Sequence, residues 1–168
     1  MTGAHSIAPL IPRRGVRQGW WPAAAWIVAS LAAGWVGSLA TDPESTWYRT
    51  LDKPSWNPPS WVFGPVWTTL YVLMGVAAWR VWRSRQDDVA VRVFAIHLFV
   101  NAAWSLLFFG ARRPDLALAD MVVLWAAIVW LMWRFAAVDR VAAVLLTPYL
   151  AWVSFAAALN LAIVRLSA

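Results

Sequence analysis

The sequence predicts an all-α integral membrane protein, a bundle of five transmembrane helices, and three observations carry that prediction. Charge is scarce: 13% of the 168 residues are Asp, Glu, Lys or Arg and mean hydropathy is +0.60, whereas a soluble domain keeps about a quarter of its residues charged. Charge is also clustered. None falls in Gln18–Thr41, Pro54–Trp79, Val93–Ala111 or Val141–Val164, and Leu116–Trp133 holds only Asp120. Finally, each run approaches the roughly 20 apolar residues that a helix needs to cross a hydrocarbon core. The runs are continuously apolar and rich in Ala, Leu and Trp rather than alternating, which argues against barrel strands.

Taken in order, the elements begin with residues 1–17, which read as a disordered tail with Pro9, Pro12 and Gly15. Residues 18–168 read as a single domain with spans at about 20–41, 61–82, 93–111, 116–134 and 141–164. Arg13, Arg14 and Arg17 ahead of an apolar run, with Ser38-Leu39-Ala40 after it, resemble a signal peptide. The uncharged run is too long for a usual h-region, so it is expected to stay as the first helix. Short connections after the second, third and fourth spans force neighbouring helices antiparallel, in one bundle. Nine basic residues fall on one side (Arg13, Arg14, Arg17, Arg80, Arg83, Arg85, Arg92, Arg134, Arg140) and five on the other (Arg49, Lys53, Arg112, Arg113, Arg165). That bias places the N-terminus in the cytoplasm. Basic residues flanking spans also account for the pI, so no nucleic acid is implied. With no Cys there is neither a disulfide framework nor thiolate chemistry.

Helical spacing puts residues on shared faces. Ser30, Gly34 and Ser38 form a small-xxx-small face on the first span, suited to close helix contact. On the third span His97, Asn101, Ser105 and Phe108 line up, with Trp104 beside them; on the fifth, Tyr149, Trp152, Ala156 and Asn160 do so. Of the fifteen tryptophans, Trp20, Trp21, Trp61, Trp79, Trp82 and Trp133 suit an interfacial aromatic belt. Trp26, Trp35, Trp67, Trp104, Trp125 and Trp152 lie inside spans, where an indole needs a partner for its N–H or a ligand to stack on.

The one long connection, between the first two spans, runs into Leu51–Trp67, "LDKPSWNPPSWVFGPVW". Pro54, Pro58, Pro59 and Pro65 fix their own φ and push the preceding residue out of helix. Lys53–Ser60 therefore reads as stiff and extended, with Ser60 as a cap and the second span starting at Trp61. Prolines holding Trp47, Trp56 and Trp61 would roof one end of the bundle; an interfacial anchor with nothing beneath it is the other reading.

The stretch from Trp47-Tyr48 through Lys53-Pro54-Ser55-Trp56-Asn57-Pro58-Pro59 and Trp61-Val62-Phe63-Gly64-Pro65-Val66-Trp67 to Tyr71 resembles the signature of the TspO/MBR family. This is the family of tryptophan-rich sensory proteins and translocator proteins, also known as peripheral-type benzodiazepine receptors. Asn101-x-x-Trp104, Phe108-Phe109-Gly110-Ala111-Arg112, Asp120, Pro148-Tyr149-Leu150-Ala151-Trp152 and Leu159-Asn160 extend the resemblance over about residues 20–165. It implies a five-helix bundle, commonly a homodimer, in a bacterial cell membrane, with a cavity open toward the first loop. It implies porphyrin or haem as ligand, with no obligatory cofactor or metal. Carried over by position, the site comprises Trp47, Trp56, Asn57 and Pro58 in the lid, and Phe63 and Trp67 below. The third span adds Asn101, Trp104, Ser105 and Phe108, and the fourth Ala119 and Val123. The fifth adds Tyr149, Trp152, Phe155, Ala156, Leu159 and Asn160. Leu161 stands where the sterol-recognition pattern of animal members has Tyr, and Leu116 where they have a pocket Trp, so no sterol site is implied.

Among polar residues in spans, His97 reads as a packing residue rather than a haem ligand. Asp120 is expected to pair with Arg112 or Arg113 near a helix N-terminus. Asn101 and Asn160 suit either helix-to-helix bonds or a ligand's polar groups. No catalytic set is visible. The resemblance leaves three functions open: a tetrapyrrole-binding sensor, a light-dependent porphyrin-degrading enzyme using Trp56 and Trp152, or a small-molecule transporter. The lack of internal repeats argues mildly against the last.

Overall fold

The computed structural model describes residues 19–167. The tail over residues 1–17, with Arg13, Arg14 and Arg17, lies outside them. The described residues are predominantly helical, with no strand among them. α1 spans Trp21–Ser38, α2 Thr46–Thr50, α3 Ser60–Ser84, α4 Asp88–Ser105, α5 Pro114–Val138, α6 Arg140–Leu145 and α7 Thr147–Leu166, and α4 runs into a π-helical turn at Leu106–Gly110. Four segments among the described residues are long and apolar enough to cross a membrane: Ser60–Ser84, Asp88–Gly110, Pro114–Val138 and Arg140–Leu166. α1 falls short of that hydropathy because three Trp, a Pro and two Gly sit among its 18 residues.

Helix starts follow local chemistry. Pro22, Pro114 and Pro148 occupy the first turns of α1, α5 and α7, where a missing N–H costs nothing. Asp87 caps α4 by accepting from the Ala90 N–H at 2.9 Å, and Asp139 caps α6 through the Val141 and Ala142 N–H groups. The last three spans begin or end several residues beyond the charge-free runs, because these capping and terminal charges belong to the helices. The start of α3 differs from the sequence reading of Ser60 as cap and Trp61 as first residue. Pro59 is the N-cap and Ser60 already helical, with no side-chain cap bond. Pro65 lies inside the helix and supplies no N–H to the carbonyl four residues back.

The long connection is also more structured than a stiff strand. Ser45 caps the short α2 through the Tyr48 N–H, and the extended stretch that follows is broken by a turn at Ser55–Trp56, closed by Asn57 N–H to the Pro54 carbonyl at 2.9 Å.

Packing is dominated by α1 against α3 and α4, α4 against α5, and α5 against α6 and α7. The small-residue face of α1 works as packing. A Cβ on Gly34 would lie 2.1 Å from the Tyr71 ring, and one on α3's Gly75 2.5 Å from the Ile27 Cα and 2.9 Å from the Trp26 carbonyl oxygen. Those glycines let two backbones touch. The main core runs from Leu70 to Val81 on α3, Ala90 to Leu98 on α4, Met121 to Phe135 on α5 and Ala142 to Ala156 on α6 and α7. A smaller cluster of Phe108, Ala117, Leu159 and Ile163 sits toward the other end.

Candidate functional site

Between the two clusters the helices leave a cavity of about 470 Å³, within the roughly 300–1,000 Å³ usual for small-molecule sites. α3 contributes Phe63, Trp67 and Tyr71, α4 contributes Asn101, Trp104 and Ser105, and the π turn contributes Phe108 and Phe109. Ala156, Leu159, Asn160 and Ile163 come from α7, and Leu31, Gly34, Trp35 and Ser38 from α1. Thr41, Pro43, Tyr48 and Ser60 line it from the loop side. No residue that lines it carries a charge.

Aromatic rings are fixed by one another around this space. Trp67 stacks on Tyr71 at 5.5 Å between centroids, and Trp104 on Phe108 at 5.2 Å. The π turn, closed by the Ala111 N–H on the Leu106 carbonyl at 2.7 Å, is wider than an α turn and brings adjacent Phe108 and Phe109 both to the wall. Such turns recur at functional sites. The polar floor is a buried chain across three helices. Tyr71 O–H donates to Asn101 Oδ1 at 2.5 Å, and Asn101 Nδ2 donates to the Tyr149 oxygen at 2.9 Å. Asn101 thereby uses one of its two amide N–H groups and one of its two oxygen lone pairs in this chain. Asn160, with its amide nitrogen toward the Pro114 carbonyl and its oxygen toward the Leu118 N–H, 3.1 Å each, ties α7 to the start of α5. Both asparagines therefore bond helix to helix while lining the cavity.

Of the sequence-predicted site residues, Phe63, Trp67, Asn101, Trp104, Ser105, Phe108, Ala156, Leu159 and Asn160 share this wall. The rest lie elsewhere. Tyr149 is fully buried beneath it. Trp47 packs behind it, edge-on to Phe108 at 5.7 Å. Trp56 is 47% exposed and rests its edge on Phe155. Asn57 and Pro58 are half-buried, the Asn57 amide bonded to the Pro58 carbonyl. Trp152 and Phe155 turn to a shallower outer groove with Pro65, Val66 and Pro148. Ala119 and Val123 are exposed, as is Leu116, because α5 turns Ala117, Met121 and Leu124 inward instead. The sequence reading did not assign α1 to the site, taking Gly34 and Ser38 as a packing face and Trp35 as an interior indole, and it also missed Phe109, Ile163 and Tyr71, the last signalled by its position one turn after Trp67.

The polar expectations also sort out. His97 is buried, its Nδ1 on the Phe94 carbonyl at 2.5 Å, and it does not line the cavity. The Asp120 pairing is overturned: Arg113 forks instead onto Asp115 at 2.8 and 2.6 Å, its near neighbour across the N-terminus of α5. Asp120 Oδ2 is buried with no hydrogen-bond partner among the described residues. Of the interior indoles, Trp125 finds Ser154 Oγ at 2.9 Å, while Trp152 Nε1 is buried without a partner.

Long apolar helices with a charge-free aromatic cavity among them define an integral, multi-pass membrane protein with a cavity of small-molecule size. The TspO/MBR family model matches residues 26–166, and the chain belongs to that family. It is 48% identical over 142 residues to the tryptophan-rich protein TspO of Chlorobaculum tepidum, covering 82% of this chain and 90% of that protein. The tryptophan-rich sensory protein of Cereibacter sphaeroides is 40% identical, over 84% of this chain and 89% of its own. The human translocator protein is 38% identical, over 87% and 90%.

Proposed function

We propose that this protein is a membrane sensor that binds a porphyrin or haem-like tetrapyrrole in the aromatic cavity, with the proline-rich loop as its lid. The carrying observation is the wall itself: Trp35, Phe63, Trp67, Trp104, Phe108 and Phe109 around uncharged space, with Asn101 and Tyr71 at its floor. Rings of this kind stack on a flat macrocycle. His97 stands away from the wall, so the guest is held by stacking rather than by axial ligation. α1 is read as a fifth span, since its 18 uncharged residues extend about 27 Å. The basic bias puts the N-terminus on the cytoplasmic side of a bacterial cell membrane, and the protein works as a homodimer.

A second reading, light-dependent porphyrin breakdown, has one observation in its favour. Trp56, Phe155, Trp152 and Phe63 form a continuous run of ring contacts at 5.7, 5.5 and 5.8 Å that ends on the cavity wall. Titrating the purified protein with protoporphyrin IX in darkness and in light separates the two. Saturable, reversible tryptophan quenching in both conditions supports the sensor. Light-dependent loss of the Soret band that Trp152→Phe slows supports the enzyme, and no saturable quenching at micromolar porphyrin defeats both.

A further inference from the structure

We infer that ligand reaches the cavity sideways, from the bilayer, through a portal between α1 and α3, so that its natural ligands are molecules already dissolved in lipid. This rests on the binding reading above and on α1 lying in the membrane.

The portal comes from how the two helices diverge. At Gly75 they touch backbone to backbone, and one turn on, the Tyr71 ring fills the space beside Gly34. Further along α3 the contact ends: a Cβ built on Gly64 meets no atom within 4 Å, about 16 Å up the helix from Gly75. Trp35 and Ser38 of α1 and Gly64 and Thr68 of α3 flank this gap, and all four both line the cavity and are exposed. Trp35 is 64% exposed, which for a cavity wall means that the cavity is open on that side. Trp35 lies one turn inside α1 and Thr68 two turns inside α3, so with α1 in the membrane the opening lies level with the bilayer rather than above it.

The chemistry of the seam suits that solvent. Thr68 donates its hydroxyl to the Gly64 carbonyl at 2.9 Å, Ser38 to Trp35 at 2.7 Å and Thr41 to Gly37 at 3.0 Å. Each hydroxyl is satisfied within its own chain segment, so a greasy molecule sliding past strips no water from it. The loop-side route among the described residues, under Thr41, Pro43 and Tyr48, leads to water, which a flat, largely apolar ligand would have to cross unaided.

The test uses the full chain in vesicles of uncharged lipid preloaded with protoporphyrin IX, following tryptophan quenching by stopped flow. Gly64→Leu, which has room to fold, narrows the gap and is expected to slow association by about tenfold, with dissociation slowed in parallel. Trp35→Ala widens it and is expected to speed both. Parent rates in both variants overturn the portal, as does slowing by Thr41→Trp at the loop mouth alone. If Gly64→Leu abolishes binding altogether, the Trp35→Ala rate decides. A single fluorophore on Gly64→Cys, in a chain with no Cys, reads the geometry independently of any porphyrin. Quenching by brominated acyl chains supports a lipid-facing portal; quenching by aqueous iodide alone contradicts it. A parent chain that binds no porphyrin while this label is quenched by lipid defeats the binding reading and leaves the portal standing.

Discussion

The two ends of the bundle are built differently. At the end where α3 and α5 finish and α4 and α6 begin, helices are clamped. Arg134 grips Asp87 through two bonds at 2.7 and 2.8 Å, and Arg80 pairs with Asp139 at 2.8 Å. Both carboxylates also cap a helix. The Arg83 guanidinium lies 4.6 Å from the centroid of Trp79, and that of Arg134 5.3 Å from Trp130. Inside, Val81, Phe94, Ile128, Leu131 and Phe135 are essentially inaccessible. At the opposite end there is a cavity, a π turn, a proline-rich loop and exposed small residues along a seam. One end holds the helices in register so that the other can stay open, and the clamps and the cavity thereby occupy separate parts of the same rods.

That division predicts unequal responses to similar changes. The largest belongs to Gly75→Val. Its new atoms would meet the Ile27 and Trp26 backbone, which cannot yield as a side chain can, and a loss of about 3 kcal/mol or more is expected in thermal unfolding. Arg134→Ala comes next. It leaves the Asp87 carboxylate, with a side chain 6% exposed, without its counter-charge; because Arg134 is itself a third exposed, a smaller loss in thermal unfolding than at Gly75 is expected.

Acid acts on the same clamps. Burial raises the Asp87 and Asp139 carboxyls, but the guanidinium and backbone N–H groups outweigh it and hold both below the usual carboxylate range. Groups depressed in the folded state stabilise it above their unfolded value, and that stability is lost as pH falls through the folded one. The melting temperature is therefore expected to be level near neutrality and to fall below about pH 4, with a smaller fall in Asp87→Asn/Asp139→Asn. The smallest effect is at the open end. Gly64→Ala adds a methyl to empty space in a helix and is expected to stabilise by about 0.5–1 kcal/mol. A loss there equal to that at Gly75 would erase the distinction between the ends.

What could be read from the sequence follows the same line. Helices announce themselves through charge-free runs, and Asn101, Trp104 and Phe108 share a face by spacing alone, so much of the α4 wall was visible. The clamps were not, since Asp87 and Arg134 are 47 residues apart and each looks like an ordinary loop charge. Local proximity misled at Asp120, where two nearby arginines suggested a pair that Asp115 takes. Rotation of a helix about its axis is set by tertiary packing, which is why Ala119 and Val123 point outward and why α1 supplies an unforeseen wall. The π turn had no signal beyond Gly110.

The most direct measurement compares two tryptophans, one at each end. Trp104 stacks within the cavity wall, and Trp133, 67% exposed, belongs to the clamped end. In a dark equilibrium titration with protoporphyrin IX, Trp104→Ala is expected to weaken binding by about 1–2 kcal/mol, or roughly tenfold, with Trp133→Ala matching the parent. Equal affinities in all three proteins, or a loss confined to Trp133→Ala, would contradict a tetrapyrrole site at the open end.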